Sequence, residues 1–443
     1  MKTTTRKRTK APQASAAPVT REWTLMVYLA GDNNLSSAGA VDLQEMKQVG
    51  STDRVSVVAQ YDRSGSRAQT TRYYLRKQTT LAQDAISRIG ETNMGDPAVL
   101  EDFITWATTT YPARHYMLVL WNHGSGWDDS NLYAGDVFGG APPPVSRKRA
   151  TLATEGVRSA RGVRPVPLHQ VRAAMRRTRR ALFATTVAKA VTTRGIAFDD
   201  QAQDFLDNIE LKRVLARVTK RLGRKLDILG MDACLMSMAE VSYQIRAAAQ
   251  FTVGSQEEEP GDGWPYHRIL RVLARTPALT ARDLSATVVR EYLASYSTRD
   301  RVTQSAVDLG RIDAVARSID ALSRALQGAL ADAAARGAII AARAQVQEYT
   351  PPYDDYCDLV DLCSLLQDLV AAAPLRAACA AVIGAVNAAV VAQGSKAKAV
   401  AHSHGMSIYF PKRMVSPLYA TLDFTKQSHW DEFLAAYLAS LRR

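Results

Sequence analysis

A thiol and an imidazole, each placed just after an apolar run, are the residues of this chain best suited to chemistry. After Tyr116–Trp121 comes Asn122-His123-Gly124-Ser125-Gly126-Trp127, a histidine on a glycine-rich turn where backbone can approach a ligand and amide N–H groups can point outward. After Leu226–Gly230 comes Met231-Asp232-Ala233-Cys234, and from Leu235 to Ala248 the spacing reads as a helix. A thiol at a helix N-terminus has its anion favoured by the dipole and the free amides, and a nearby imidazole deprotonates it further. Taken singly, His123 has an ordinary reading as a turn residue, and Cys234, beside Leu235 and Met236, as a buried core thiol. Jointly, on strands that can lie side by side, they form the pair that a nucleophile and its base require.

The elements that must position this pair are legible as alternating runs. Thr24–Leu29, Val55–Tyr61, Tyr116–Trp121, Leu226–Gly230, Phe251–Gly254 and Met406–Phe410 read as buried strands. Leu35–Val49, Ala98–Thr109 and Leu235–Ala248 fit helical periodicity between them. The expected fold class is α/β, a sheet sandwiched by helices, in which active sites collect at the carboxyl ends of strands. Ala377–Ser395 is Ala-rich, includes Asn387 and Gln393, and reads as a packed helix, not a membrane span. Cys357, Cys363 and Cys379 lack paired metal-ligand spacing and read as buried small hydrophobes, so no metal is assigned. No phosphate-binding glycine loop with its lysine is present, which argues against a nucleotide enzyme.

Two further residues are candidates for contact with a substrate. Asp262, in Pro260-Gly261-Asp262-Gly263-Trp264, lies on the loop after the Phe251–Gly254 run, and Ser255 stands at that run's end. Asp262 is weighed against a plain turn role. Asp32-Asn33-Asn34 offers oxygen ligands to a calcium ion, but its spacing fits no EF-hand loop, and Asn and Asp after Gly are ordinary turn chemistry. The expectation is therefore that the chemistry requires no cofactor; a structural calcium at Asp32-Asn33-Asn34 is the alternative to the turn reading, which is preferred.

The 443 residues carry 56 Lys+Arg against 43 Asp+Glu, a net +13 that by itself suggests nucleic acid, an anionic surface or acidic partners. The charge is not spread evenly. Residues 1–21 hold +6 with no acid and read as a disordered basic tail. Gly139–Phe198 holds 13 basic residues against Glu155 alone, or +12, and interrupts the rhythm of elements with Pro142-Pro143-Pro144, as an insertion does. The remainder is near −5, so the basicity belongs to two segments and not to the fold. No secretory signal is convincing, since the first apolar run, Trp23–Ala30, is only eight residues long and follows Glu22, which makes the cytoplasm the default compartment.

Several blocks together resemble one family. The run from Trp23 to Leu35 (WTLMVYLAGDNNL), the His123-Gly124 turn, Asp232-Ala233-Cys234-Leu235-Met236, Glu257–Tyr266 (EEEPGDGWPY) and Gly405–Pro411 (GMSIYFP) resemble the clostripain family of cysteine peptidases, in the family's order. Ala197-Phe198-Asp199-Asp200 and Thr421–Trp430 extend the likeness. The resemblance implies a caspase-like three-layer α/β/α sandwich with a mostly parallel central sheet, over residues 22–443 with C-terminal helical and strand additions. It also implies peptide-bond hydrolysis by a Cys–His dyad. Carried over residue by residue, Cys234 is the nucleophile, His123 the general base and acid, and the amides of Gly124 and Cys234 the oxyanion donors. Asp232, two residues before the nucleophile, takes the role of the carboxylate at the base of the primary specificity pocket. A partly desolvated carboxylate there can accept a bidentate guanidinium, while Lys fills the pocket as a point charge. Asp232 as an N-cap of the following helix is the alternative.

The resemblance also frames the basic insertion. His123 and Cys234 stand 111 positions apart, farther than the family's pattern, and residues 139–198 account for the excess. Several relatives cut their own chain after a basic residue in this interval, which makes the insertion a candidate autoprocessing segment, with Arg149, Arg176, Arg177, Arg179 and Arg180 as candidate sites; a solvated basic loop is the alternative. The expected partners are polypeptides with Arg or Lys at P1 and the chain's own insertion, with no specific nucleic acid, no membrane, and a monomer as the working state. The competing function is a vestigial peptidase whose basic segments bind nucleic acid or an anionic surface, a reading that salt-sensitive DNA affinity would support.

Overall fold

The computed structural model describes residues 21–33, 35–65, 68–122, 124, 127, 196–199, 204–206, 208–349, 355–417 and 419–442. Its strands are β1 (Arg21–Gly31), β2 (Val55–Arg63), β3 (Thr71–Tyr74), β4 (Ala85–Arg88), β5 (Ala113–Trp121), β6 (Ile196–Asp199), β7 (Asp204–Leu206), β8 (Leu226–Asp232), β9 (Ala249–Gly254), β10 (Val302–Asp308), β11 (Glu348–Tyr349), β12 (Tyr356–Asp358), β13 (Val390–Lys396) and β14 (Ser407–Tyr409). Nine of them form one sheet in the order β13-β10-β9-β8-β5-β1-β2-β3-β4. The five central strands are parallel, and two more add antiparallel on each side. Central parallel strands are covered on both faces, which is why β1, β5 and β8 read as continuous apolar runs and not as alternating ones.

Alternate residues of each strand feed opposite cores. Leu25, Val27, Met117, Val119 and Ile228 pack with helices Ser36–Lys47, Tyr266–Arg275 and Ala281–Ser295. Met26, Leu118, Leu120, Leu229 and Met231 face the other layer, built from helices that include Pro97–Thr110, Asn208–Leu222, Ala239–Ile245 and Ile312–Ala329. The result is the expected three-layer α/β/α sandwich.

Two expectations are corrected at the C-terminal side. The Ala-rich stretch is not one helix through Ser395: the helix Ala373–Ala389 ends where Val390 and Val391 begin β13, which pairs with β10 at the sheet edge. Paired β-branched residues favour the extended conformation there. The Met406–Phe410 run supplies β14, which pairs with β12 in a separate three-stranded sheet with β11 and not with the main one. None of the four cysteines is in a disulfide and all are buried, as expected of Cys357, Cys363 and Cys379 as core thiols. The last residues of the 139–198 segment, Ile196 to Phe198, belong to β6, which pairs with β7; residues 1–20 and 131–195 lie outside the described residues. No helix among the described residues is long and apolar enough to cross a membrane.

Candidate active site

Strands β5 and β8 are adjacent and parallel, and their register pairs Trp121 with Asp232. Cys234 and His123 therefore each follow by two residues a pair of aligned positions at the carboxyl end of the sheet, where the chain's reach is about 7 Å. His123 itself lies outside the described residues, as do Arg149, Arg176, Arg177, Arg179 and Arg180.

Cys234 is 0% exposed. Its Sγ accepts a hydrogen bond from the Glu259 N–H at 3.2 Å and lies 3.9 Å from the Glu259 carbonyl oxygen. An N–H directed at sulfur stabilises negative charge there. The expected helix does not begin at Leu235, so Cys234 is not at a helix N-terminus and receives no help from a helix dipole. Leu235 instead takes a left-handed conformation with φ 64°, a strained choice for a branched residue. The Leu235 N–H donates to the Glu257 carbonyl at 3.3 Å, the Ser237 N–H donates to the Ser255 carbonyl at 2.9 Å, and Met238 bridges to Ser407. These backbone partners hold residues 235–238 out of helical geometry, and the helix starts only at Ala239.

Asp232 shares the β8 face of Ile228 and Gly230. Gly230 leaves room for Trp264, since a Cβ there would stand 2.8 Å from the indole ring. Asp232 is 1% exposed, and its Oδ2 accepts from the Tyr266 hydroxyl at 2.8 Å and from the Trp264 N–H at 3.3 Å. Burial, then the Asp232 charge, pushes the Tyr266 phenol well above its ordinary range, so it remains a donor to the carboxylate. Asp232 does not cap the following helix, whose N-cap position is Met238. Gly263 lies directly over the carboxylate: its φ is 55°, and a Cβ would stand 3.0 Å from Asp232 Oδ1. Asp262, half-buried, immediately precedes it. The signal for Tyr266 and Gly263 lay in the Gly-Asp-Gly-Trp-Pro-Tyr string, but which of those residues would touch Asp232 was not readable.

The segment after β9 is ordered from within. Ser255 is buried, donates from Oγ to the Glu257 carbonyl at 2.7 Å, accepts from the Glu257 N–H at 3.1 Å and meets Thr303 Oγ1 at 2.9 Å. Its hydroxyl thus ties the end of β9 to Glu257 and Thr303. The Arg301 guanidinium pairs with Glu257 at 2.6 Å, and the Gln304 amide donates to Glu259 Oε1 at 3.1 Å. Gln256 ties this segment to the C-terminal part, donating to Asp358 Oδ2 at 2.9 Å and accepting from the Gly405 N–H at 2.7 Å.

The turn that carries His123 is also braced. The Trp121 indole N–H donates to Asp42 at 2.7 Å, and the Asn33 amide donates to Asn122 at 3.3 Å. Gly124 is buried. Asn33 also accepts from the Leu35 N–H at 2.8 Å, the turn chemistry expected of it. Asp32 stands with Asp62 and Glu91, each bringing a ligand-capable atom within 4.8 Å of the others.

The arrangement defines a class: an α/β sandwich of caspase-like fold with a buried thiol and a buried carboxylate at the carboxyl end of one strand. The family model described as the clostripain family matches residues 27–138 and 184–437, and the chain belongs to the clostripain family, whose members are cysteine peptidases. Clostripain of Hathewaya histolytica is 32% identical over 144 residues, which cover 25% of this chain and 27% of that protein. The chain thus spans about a quarter of the length of the curated relative it matches. A secreted C11 cysteine protease from Bacteroides thetaiotaomicron, solved in complex with an irreversible peptide inhibitor, has a TM-score of 0.60 at 19% identity, covering 93% of this chain and 99% of that one. An inactive zymogen C11 protease from Parabacteroides distasonis has a TM-score of 0.60 at 20% identity, with the same coverage of 93% and 99%. Both likenesses are of fold.

Proposed function

We propose that this protein is an endopeptidase cleaving polypeptides after basic residues, Arg in preference to Lys, by a Cys234–His123 dyad. The observation that carries the reading is the β5–β8 register, which starts both catalytic turns from one pair of aligned residues. In the first step His123 takes the proton from Sγ, and the thiolate attacks the scissile carbonyl. The Gly124 and Cys234 N–H groups donate hydrogen bonds to the oxyanion, and the imidazolium then gives its proton to the leaving amine. Water, deprotonated by the same imidazole, cleaves the thioester and restores the thiol.

Asp232 is the pocket carboxylate in this reading. Two donors already occupy one face of it, and a buried charge so oriented favours a guanidinium with its fork of donors over a neutral side chain. Asp262, beside Gly263, is the second carboxylate near the pocket. The arginines at 149, 176, 177, 179 and 180 are substrates in cis, and the enzyme works as a monomer without a cofactor. Hydrolysis of short fluorogenic peptides with P1 Arg, Lys, Ala or Asp tests the assignment, with Cys234→Ala and Asp232→Ala as controls. Activity on P1 Arg that survives Cys234→Ala contradicts the mechanism. Incubating the purified chain beside Cys234→Ala tests self-cleavage, which is wrong if both stay intact or both are clipped alike.

A further inference from the structure

The turn carrying His123 is gripped downstream by the far end of the chain. Trp127, four residues past His123 in sequence, is 1% exposed. Its indole meets the rings of Tyr409 and Tyr419 edge-on, each with centroids 4.6 Å apart and at interplanar angles of 70° and 66°. The two tyrosines also touch each other, centroids 4.9 Å apart, so the indole rests against a formed pair and not against one mobile ring.

That pair is anchored in turn. The Tyr409 N–H donates to Glu240 Oε1 at 2.9 Å, and the Tyr419 hydroxyl donates to the same oxygen at 2.8 Å. The Tyr409 carbonyl accepts from the Trp430 indole at 2.6 Å, and the Tyr409 hydroxyl accepts from the Ser416 N–H at 3.2 Å. Glu240 is fully buried and lies six residues beyond Cys234, in the helix that the Cys234 turn leads into. One carboxyl group therefore joins the chain leaving the nucleophile to the two rings that hold the chain leaving the imidazole.

We propose that Trp127, seated between Tyr409 and Tyr419 and anchored through them on Glu240, is the positioning residue that sets His123 against Cys234. The proposal rests on the dyad reading above. A buried carboxyl is a costly way to fix two tyrosines if packing were the only need, because apolar groups would fill the space without desolvating an acid. What the carboxyl adds is direction. It fixes the Tyr419 hydroxyl and the Tyr409 backbone at one point, and with them the faces against which the indole edge fits.

The test uses the full chain, a P1-Arg coumarylamide peptide, and alkylation of Cys234 by iodoacetamide followed across pH. Circular dichroism confirms the fold of each variant. Trp127→Ala is expected to lower kcat about 100-fold while KM changes less than about threefold, the effect of roughly 1 Å of misplacement. Its alkylation profile should move toward that of His123→Ala, because the thiol loses its partner. Trp127→Phe, which keeps an aromatic edge in the clamp, should recover most of kcat. A folded Trp127→Ala with parental kcat, or one with low kcat but a parental alkylation profile, overturns the proposal. Should Trp127→Ala not fold, Tyr419→Phe decides: it keeps the ring and loses only the bond to Glu240, and an unchanged kcat and alkylation profile overturns the anchoring. If His123→Ala itself leaves both readouts at parental values, the dyad has failed, an outcome distinct from failure of the clamp.

Discussion

Replacing Asp232 by Asn isolates the charge of the pocket from its shape. The amide is isosteric, and its oxygen can still accept from the Trp264 N–H and the Tyr266 hydroxyl, so the geometry around β8 should persist. What disappears is one negative charge on a group 1% exposed, where solvent screening is weak. Two unit charges about 4 Å apart interact by about 4 kcal/mol at the effective dielectric of a protein site. Part of this remains as ion–dipole attraction, so about 3–4 kcal/mol is lost, or about 100- to 1000-fold in kcat/KM at 1.36 kcal/mol per decade. The assay compares two peptides that differ only at P1, arginine against citrulline, its uncharged isostere. In the parent the Arg/citrulline ratio of kcat/KM should be large. In Asp232→Asn it should collapse through the loss of the Arg rate, with the citrulline rate little changed. A ratio within about threefold of the parent's would refute the assignment of Asp232 as the charge reader.

Three further outcomes follow from the same geometry. Gly263→Ala places a Cβ 3.0 Å from Asp232 Oδ1 on a backbone with φ 55°; it should cost about 1–2 kcal/mol of stability and lower kcat/KM for P1 Arg, and parental Arg kinetics would contradict the position given to Gly263. The hydrogen bond from His404 to Asp358, at 2.9 Å, raises the imidazole above its usual 6.5 against the opposing effect of burial. That stabilisation is complete below the unfolded value and is lost as pH rises through the folded one; with His404 38% exposed it amounts to under about 1 kcal/mol. The Tm gap between parent and His404→Asn should therefore shrink from about pH 5.5 to about pH 8.5, and a constant gap would contradict the pairing. Burial pushes the Glu240 carboxyl up from 4.5 to about 7, against the bonds from Tyr409 and Tyr419. Since the folded state holds this proton more tightly, stability should fall as pH rises between those two values, and denaturant unfolding of Glu240→Gln should show a shallower decline.

What could be read from residues alone was what depends on local pattern. Parallel strands covered on both faces must be continuously apolar, and β1, β2, β5, β8 and β9 were visible for that reason. The adjacency of β5 and β8 was only a permitted arrangement until the Trp121–Asp232 register placed the two turns together. What was hidden around the site was non-local. Leu235 to Met238 have helical spacing, yet their backbone partners are Glu257, Ser255 and Ser407, which no window around Cys234 contains. Ser255 was visible as the end of a strand, but the bond of its hydroxyl to Thr303, 48 residues on, was not. Glu240 carries no mark of its role in the sequence, since the groups that bond it, on Tyr409 and Tyr419, stand 169 and 179 residues on. Periodicity reports which faces are apolar and is silent on which distant chain will supply a donor.

The central claim is that Cys234 is the nucleophile of a peptidase that reads a basic P1 residue. A peptidyl-arginine acyloxymethyl ketone, which alkylates a catalytic thiol only after occupying its pocket, tests it when the labelled protein is digested and sequenced by mass spectrometry. The account predicts one adduct, on Cys234, formed faster than with the matching aspartate ketone and missing in His123→Ala. Label on Cys357, Cys363 or Cys379, or equal labelling by the arginine and aspartate reagents, would contradict it.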